Sequence, residues 1–311
     1  MIAKQFEWGV FYEIFVDGFS HDYKDLEHVQ SKKQGGTISG ITRRLDYLKQ
    51  LNVTSVLFTT PPTLSLSSLK SVTSQMHSNN ISLFMRLTEQ LEAKSEVFNS
   101  EVDGLFITHP LNNSALCQSV FSQLNKFKKR PILIADENLG EALKYNSNVL
   151  KTVKWFHDYI AGYFTQECLQ MYLSTKYDGV VDYAGQRIAH KYSKERGVFR
   201  FLPEFLSAFF YNAHVYLYPQ KTVLVTPTFR SKFSKDEMSL TARFPNPMLI
   251  QMGVELNQTD KHKNTLYWSA IDYNQSAKER FYYSMKLFQT RKDTAAGIST
   301  IFTIKNDFLI D

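Results

Sequence analysis

The side chains best suited to chemistry in this 311-residue chain are carboxylates set where apolar runs stop. Asp17 follows VFYEIFV, Asp136 and Glu137 close PILIA, Asp182 lies in YDGVVDY, and Glu255 ends PMLIQMGVE. Two converging carboxyl groups can divide a bond cleavage between them, one protonating the leaving atom while the other attacks. Asp136 or Glu137 with Asp182 or Glu255 is the pairing to test. Thr108 with His109 is a weaker candidate, because a hydroxyl needs a base and neighbours on a strand face opposite sides. Asp17 and Asp182 also suit a plainer role as loop caps.

Strands must position these groups. In WGVFYEIFVDGF, residues 8–19, Val10, Tyr12, Ile14 and Val16 share one face by period two, and Phe11, Glu13 and Phe15 share the other. A run apolar on both faces is a buried strand. After Gly35-Gly36, apolar positions Ile38, Ile41, Leu45, Leu48 and Leu51 step by three and four, which predicts one helix stopped at Asn52. VTSVLFTT then gives a second strand, closed by Pro61-Pro62.

Alternation continues. Residues 64–77 read as helix, 81–87 as strand three, 89–98 as a short helix, 102–108 as strand four and about 113–129 as helix. PILIA is strand five, YDGVVDY strand six, Thr222 to Val225 strand seven and Pro247 to Glu255 strand eight, with a last helix over Arg280 to Lys292. The aromatic stretches at 150–175 and 205–218 read as helical-layer packing. Eight strands with intervening helices predict a single (β/α)8 barrel over 1–311, with 296–311 a residual C-terminal strand segment.

The segments FYEIFVDGF and GGTISGITRRLDYLKQLNVTSVLFTTP resemble the opening of the catalytic barrel of glycoside hydrolase family 13, the α-amylase family, and most of all its neopullulanase and maltogenic amylase branch. AGQRIAHKY after strand six and PMLIQMGVE also resemble family segments. The resemblance implies a retaining mechanism, in which a carboxylate nucleophile and a carboxylic acid stand about 5 Å apart at the C-terminal strand ends.

Set against that pattern, the chemistry is missing. The family's strand four reads Gly-Phe-Arg-x-Asp; here Gly104-Leu105-Phe106-Ile107-Thr108 puts Phe106 at the orienting arginine and Thr108 at the nucleophile. The acid position falls on Asp136, one methylene short, with Glu137 one residue out of phase. Strand seven ends in Thr226-Pro227-Thr228 before Arg230 instead of His-Asp, and strand three lacks the family's Asp. The family's subdomain after strand three and its C-terminal sandwich are both expected to be lacking. No catalytic residue is therefore expected. A retained sugar site would draw on Tyr12, Asp17, Phe106, His109, Asp182, Arg230 and Glu255. Tyr12 matches the family's sugar-stacking tyrosine but reads equally as a barrel-interior aromatic, and Glu255 reads equally as structural.

Composition narrows the classes. A chain 43% hydrophobic and 14% aromatic can fill a large core. The net charge of +6 comes from scattered lysines, and the densest run, Lys126 to Arg130, closes a predicted helix, so nucleic acid is not an expected partner. No long apolar stretch begins the chain or reaches membrane-spanning length, and a cytoplasmic protein is expected. Cys117 and Cys168 read as reduced thiols. Neither metal nor cofactor is expected. The leading expectation is an inactive family member that binds an α-glucan or a protein partner; the alternative is an active glycosidase with a rearranged carboxylate pair.

Overall fold

The computed structural model describes residues 6, 8–19, 36–59, 65–87, 101–108, 122–124, 127, 129–136, 179–182, 222–225, 235–242, 247–258, 266, 268, 271 and 273–295. Eight parallel strands close into a barrel in chain order: β1 Val10–Phe15, β2 Ser55–Thr59, β3 Ser82–Leu87, β4 Gly104–Thr108, β5 Ile132–Asp136, β6 Gly179–Asp182, β7 Thr222–Val225 and β8 Met248–Gln251. β8 pairs with β1, Val10 opposite Met248 and Glu13 opposite Gln251. The described helices are α1 Val16–Phe19, α2 Ile38–Thr42, α3 Leu45–Gln50, α4 Leu66–Ser78, α5 Lys235–Ala242 and α6 Gln275–Ala295, with a 3-10 turn at Val254–Leu256 after β8.

Two local expectations change. The helix expected from Ile38 to Leu51 is two helices, broken where Arg44 leaves helical geometry (φ −110°, ψ 17°) and lays its guanidinium 4.2 Å from the Trp268 ring centre. The first strand stops at Phe15, and Asp17-Gly18 lies in the helical turn α1. Helix-to-strand corners at Asn52 and Asn80 take the left-handed region (φ 53° and 58°), which asparagine tolerates better than most residues. The helices read at 89–98, 150–175 and 205–218 lie outside the described residues, as does most of 113–129.

The two faces of the wall differ in filling. Phe11, Leu57, Phe84, Phe106, Ile134 and Leu249 point into the lumen, with Phe6 from the segment before β1 packed against Phe11 and Phe84 at 5.5 and 5.7 Å between ring centres. Phe106 meets Phe84 edge-on at 5.8 Å. Gly104 belongs to this layer because a Cβ there would stand 2.3 Å from the Phe84 ring and 2.7 Å from the Ile132 carbonyl. Val10, Tyr12, Ile14, Val56, Phe58, Leu83 and Met85 form the opposite face, packed beneath the helices. Near the N-terminal ends of β1 and β8, buried Arg291 of α6 donates to the carbonyls of Trp8, Gly9 and Ala242. Burial lowers its pKa to about 9.

Candidate functional site

Parallel strands bring all their C-terminal ends to one rim, the end where such barrels bind ligands. On four consecutive strands the lumen-facing residue turns from apolar to polar at one step of the alternation: Leu249 to Gln251 on β8, Phe11 to Glu13 on β1, Leu57 to Thr59 on β2, and Phe84 to Arg86 on β3. Glu13 is buried. Its Oε1 accepts from Thr59 Oγ1 at 2.7 Å and pairs with Arg86 Nη1 at 2.8 Å. The Arg86 side chain keeps 11% of its surface open, and Gln251 is partly exposed. The sequence reading missed this cluster. The available signal was a charge in the period-two phase of two apolar strands, VFYEIF and SLFMRL.

Further round the barrel, Thr108 and Asp136 are register partners on β4 and β5. They share a phase with Phe106 and Ile134, one step beyond the aromatic layer. Asp136 is the last residue of β5, at the end of the apolar run as expected. β5 pairs Ile134 with Gly179 and Ala135 with Val180, so Asp182 falls in the register opposite to Asp136. Phe106 has no exposed surface. Glu137, His109 and Arg230 lie outside the described residues.

Tyr12 corrects both expectations attached to it. It is fully buried on the outer face of β1, neither in the lumen nor open to a sugar ring. Its hydroxyl donates to Glu255 Oε1 at 2.6 Å, and the Tyr47 hydroxyl donates to the same oxygen at 2.5 Å. Glu255 is also fully buried and has no described hydrogen-bond partner at Oε2. Its carboxyl thus clasps β1 and α3 to the turn after β8, behind the barrel wall. Burial raises its pKa, against the lowering pull of the two phenols and of the Gly253 and Glu255 amides. Both phenols are held well above their usual value, by burial first and the carboxylate second. Asp17 is exposed in α1, where its carbonyl accepts from the Gly36 amide at 2.8 Å.

A guanidinium fixed by a carboxylate, an amide and a hydroxyl thus line one arc of the lumen, and their chemistry is that of hydrogen bonding rather than of a nucleophile. Among the described residues, no group of three His, Cys, Asp or Glu side chains is placed to hold a metal ion, and no helix is long and apolar enough to cross a membrane.

No protein-family model matches the chain. A stretch of 52 residues, 16% of this chain, is 36% identical to Alpha-amylase 2 of Dictyoglomus thermophilum, and the match spans only 9% of that relative's length. Among solved structures, the chain is similar to the cyclic alpha-maltosyl-(1→6)-maltose hydrolase from Arthrobacter globiformis, with a TM-score of 0.61 at 10% identity over 93% of this chain and 84% of that one. It is also similar to the debranching enzyme from Nostoc punctiforme (TM-score 0.57, 13% identity, 94% and 81% covered). A third likeness is to the acarbose complex of the α-amylase from Geobacillus thermoleovorans (TM-score 0.55, 13% identity, 93% and 79% covered). At such identities the likeness is one of fold, and the chain is an α/β barrel of the architecture that these three structures share.

Proposed function

We propose that this chain is an α-amylase-family barrel, nearest the neopullulanase and maltogenic amylase branch, that has lost glycosidase activity and keeps the mouth of its barrel for binding an α-glucan or a protein partner. The observation that carries the reading is Phe106. It stands where the resemblance calls for the arginine that orients the nucleophile, and it is fully buried in the aromatic filling of the lumen. The surroundings agree. Glu13, a buried carboxylate of the lumen, is already engaged by Arg86 and Thr59. Only residues 88–103 join β3 to β4, in keeping with a barrel that lacks the inserted subdomain.

An active glycosidase with a rearranged carboxylate pair is the competing reading, and it receives less support. Glu255 lies behind the wall with both phenols on it, and Asp182 is out of register with Asp136. The purified chain should release no reducing sugar above buffer from maltooligosaccharides, pullulan or cyclodextrins. Turnover that disappears in Asp136→Asn or Glu137→Gln would overturn the reading and exclude contaminating amylase. Acarbose, the ligand of the Geobacillus complex, and maltotriose are the first probes for binding, since a ligand that binds only the folded state raises its melting temperature. Restoring Phe106→Arg, Thr108→Asp and Asp136→Glu together should not produce turnover of an aryl maltoside. A first shell misplaced by about 1 Å can lose about a hundredfold in rate, and the new arginine would bury a charge in an aromatic layer.

A further inference from the structure

We propose that the arc of Gln251, Glu13, Thr59 and Arg86 is a ligand site whose occupant is a sugar carrying an oxyanion, a phosphate or a carboxylate, held by the Arg86 guanidinium. This rests on the reading of the barrel mouth as a binding surface and deepens it by naming the half of the rim that binds and the charge it selects.

The filling of the lumen carries the inference. Below the arc, the same four strands contribute Leu249, Phe11, Leu57 and Phe84, packed without a polar group among them. The chain can therefore fill this lumen with apolar side chains, and one step nearer the rim it does not. Four consecutive strands make the change together, which a lone tolerated charge would not explain. An ion pair taken out of water gains little net stability, since desolvation offsets its attraction, and apolar replacements of similar volume often do as well or better. Stability is a poor reason for Glu13 and Arg86 to stand there.

Recognition is a better one. Glu13 Oε1 receives both Thr59 Oγ1 and Arg86 Nη1, so the carboxylate is anchored on β2 while it fixes the guanidinium on β3. A guanidinium is a planar fork whose donors match the paired oxygens of a phosphate or carboxylate, and orienting it beforehand removes part of the entropy cost of binding. The Arg86 side chain keeps 11% of its surface open, with Nε and Nη2 themselves buried, and Gln251 is partly exposed, which places the arc beside the mouth. Glutamine and threonine supply neutral hydrogen bonds for hydroxyl groups alongside.

Calorimetric titration of the full chain with glucose 6-phosphate, glucuronate, maltotriose and inorganic phosphate tests the assignment. Glucose 6-phosphate or glucuronate should bind saturably and at least about tenfold more tightly than maltotriose, and the advantage should shrink with added salt. Arg86→Met should remove it. Because that variant takes the guanidinium away from the buried Glu13 carboxylate, Glu13→Gln/Arg86→Met serves as the version that can fold, and Gln251→Ala, which removes no charge, should weaken the sugar anion severalfold. Anionic sugars that bind no better than maltotriose, or as well after Arg86 is replaced, would overturn the inference while leaving the glucan reading intact. Inorganic phosphate binding as tightly as the sugar phosphate would overturn recognition of the sugar. Binding of the anionic sugars without maltotriose or acarbose would uphold the site and remove the α-glucan from the reading above; binding of none of them would overturn both.

Discussion

Two carboxylates lie buried on opposite sides of the same barrel wall, and each is satisfied by a different kind of partner. Glu13, in the lumen, faces a guanidinium and a hydroxyl. Glu255, between the wall and the helices, faces two phenols and no described cation. The first arrangement answers charge with charge, one step of the alternation beyond the apolar layer of the lumen. The second answers charge with neutral donors in a sealed layer, so its strain appears as a shifted proton affinity instead. The lumen pair thus ties β1 to β3, and the outer clasp holds three elements in place.

The largest effect should come from breaking the lumen pair on one side only. Glu13→Leu leaves the Arg86 guanidinium without its carboxylate and should cost about 3–5 kcal/mol of unfolding free energy, while Glu13→Leu/Arg86→Met should recover most of that loss. Urea denaturation of the two variants beside the parent chain measures both numbers. A cheap single variant would mean that Arg86 reaches water or another partner easily, and the contrast with Glu255 would dissolve. A double variant no better than the single one would show that the pair is needed for the fold itself.

Much of this frame was legible in the sequence, and the unread parts share a physical cause. Apolar runs alternating with helical spacing, and the resemblance beside them, predicted the eight strands, and period-two patterning separated Phe11 and Glu13 from Tyr12 and Ile14 on β1. It did not say which face is the lumen, because a strand buried on both sides is apolar on both. Tyr12 accordingly reads equally as a sugar platform and as a barrel-interior aromatic, when its partner is Glu255, 243 residues further along the chain. Contacts at that separation leave no local periodic mark. Arg44 shows the same limit: the apolar spacing of Ile38 to Leu51 asks for one helix, yet a contact with the distant Trp268 ring accompanies the break. The departure of Phe106 and Thr108 from the pattern of the resembled family is readable only through that resemblance, whereas the polar arc requires knowing that Glu13, Thr59 and Arg86 converge.

On the outer side the effects should be smaller. Tyr12→Phe removes one of the two donors to Glu255 Oε1 while leaving the ring packed, and should cost about 1–3 kcal/mol, the penalty for under-satisfying a buried acceptor. Tyr47→Phe should cost a similar amount, since its phenol donates to the same oxygen. The double variant should cost more than the sum of the two, because a single remaining donor still compensates part of the carboxylate. Strict additivity, measured from urea midpoints, would mean that the phenols pack independently and that the clasp is a coincidence of position.

The subtlest test separates the two carboxylates by pH. Burial holds the Glu255 carboxyl above the ordinary carboxylate range, and the phenol and amide donors recover only part of the shift. A raised pKa means that the folded state binds the proton more tightly than the unfolded chain does. The contribution of Glu255 to stability is then fully present below the unfolded value of about 4.3, and it is lost as the pH rises through the folded value. A glutamine at this position keeps an acceptor for the phenols but does not titrate. The stability of the parent chain minus that of Glu255→Gln should therefore fall as the pH is raised from about 4 toward neutrality, with every other titrating group cancelling in the difference. Denaturation midpoints of the two proteins at several pH values read it directly. At neutral pH the glutamine variant should lie within about 1 kcal/mol of the parent, the size of one ordinary hydrogen bond. A difference that instead grew with pH would show that the two phenols outweigh burial, and that Glu255 is an anion stabilised by the fold as Glu13 is, by donors strong enough to stand in for a cation.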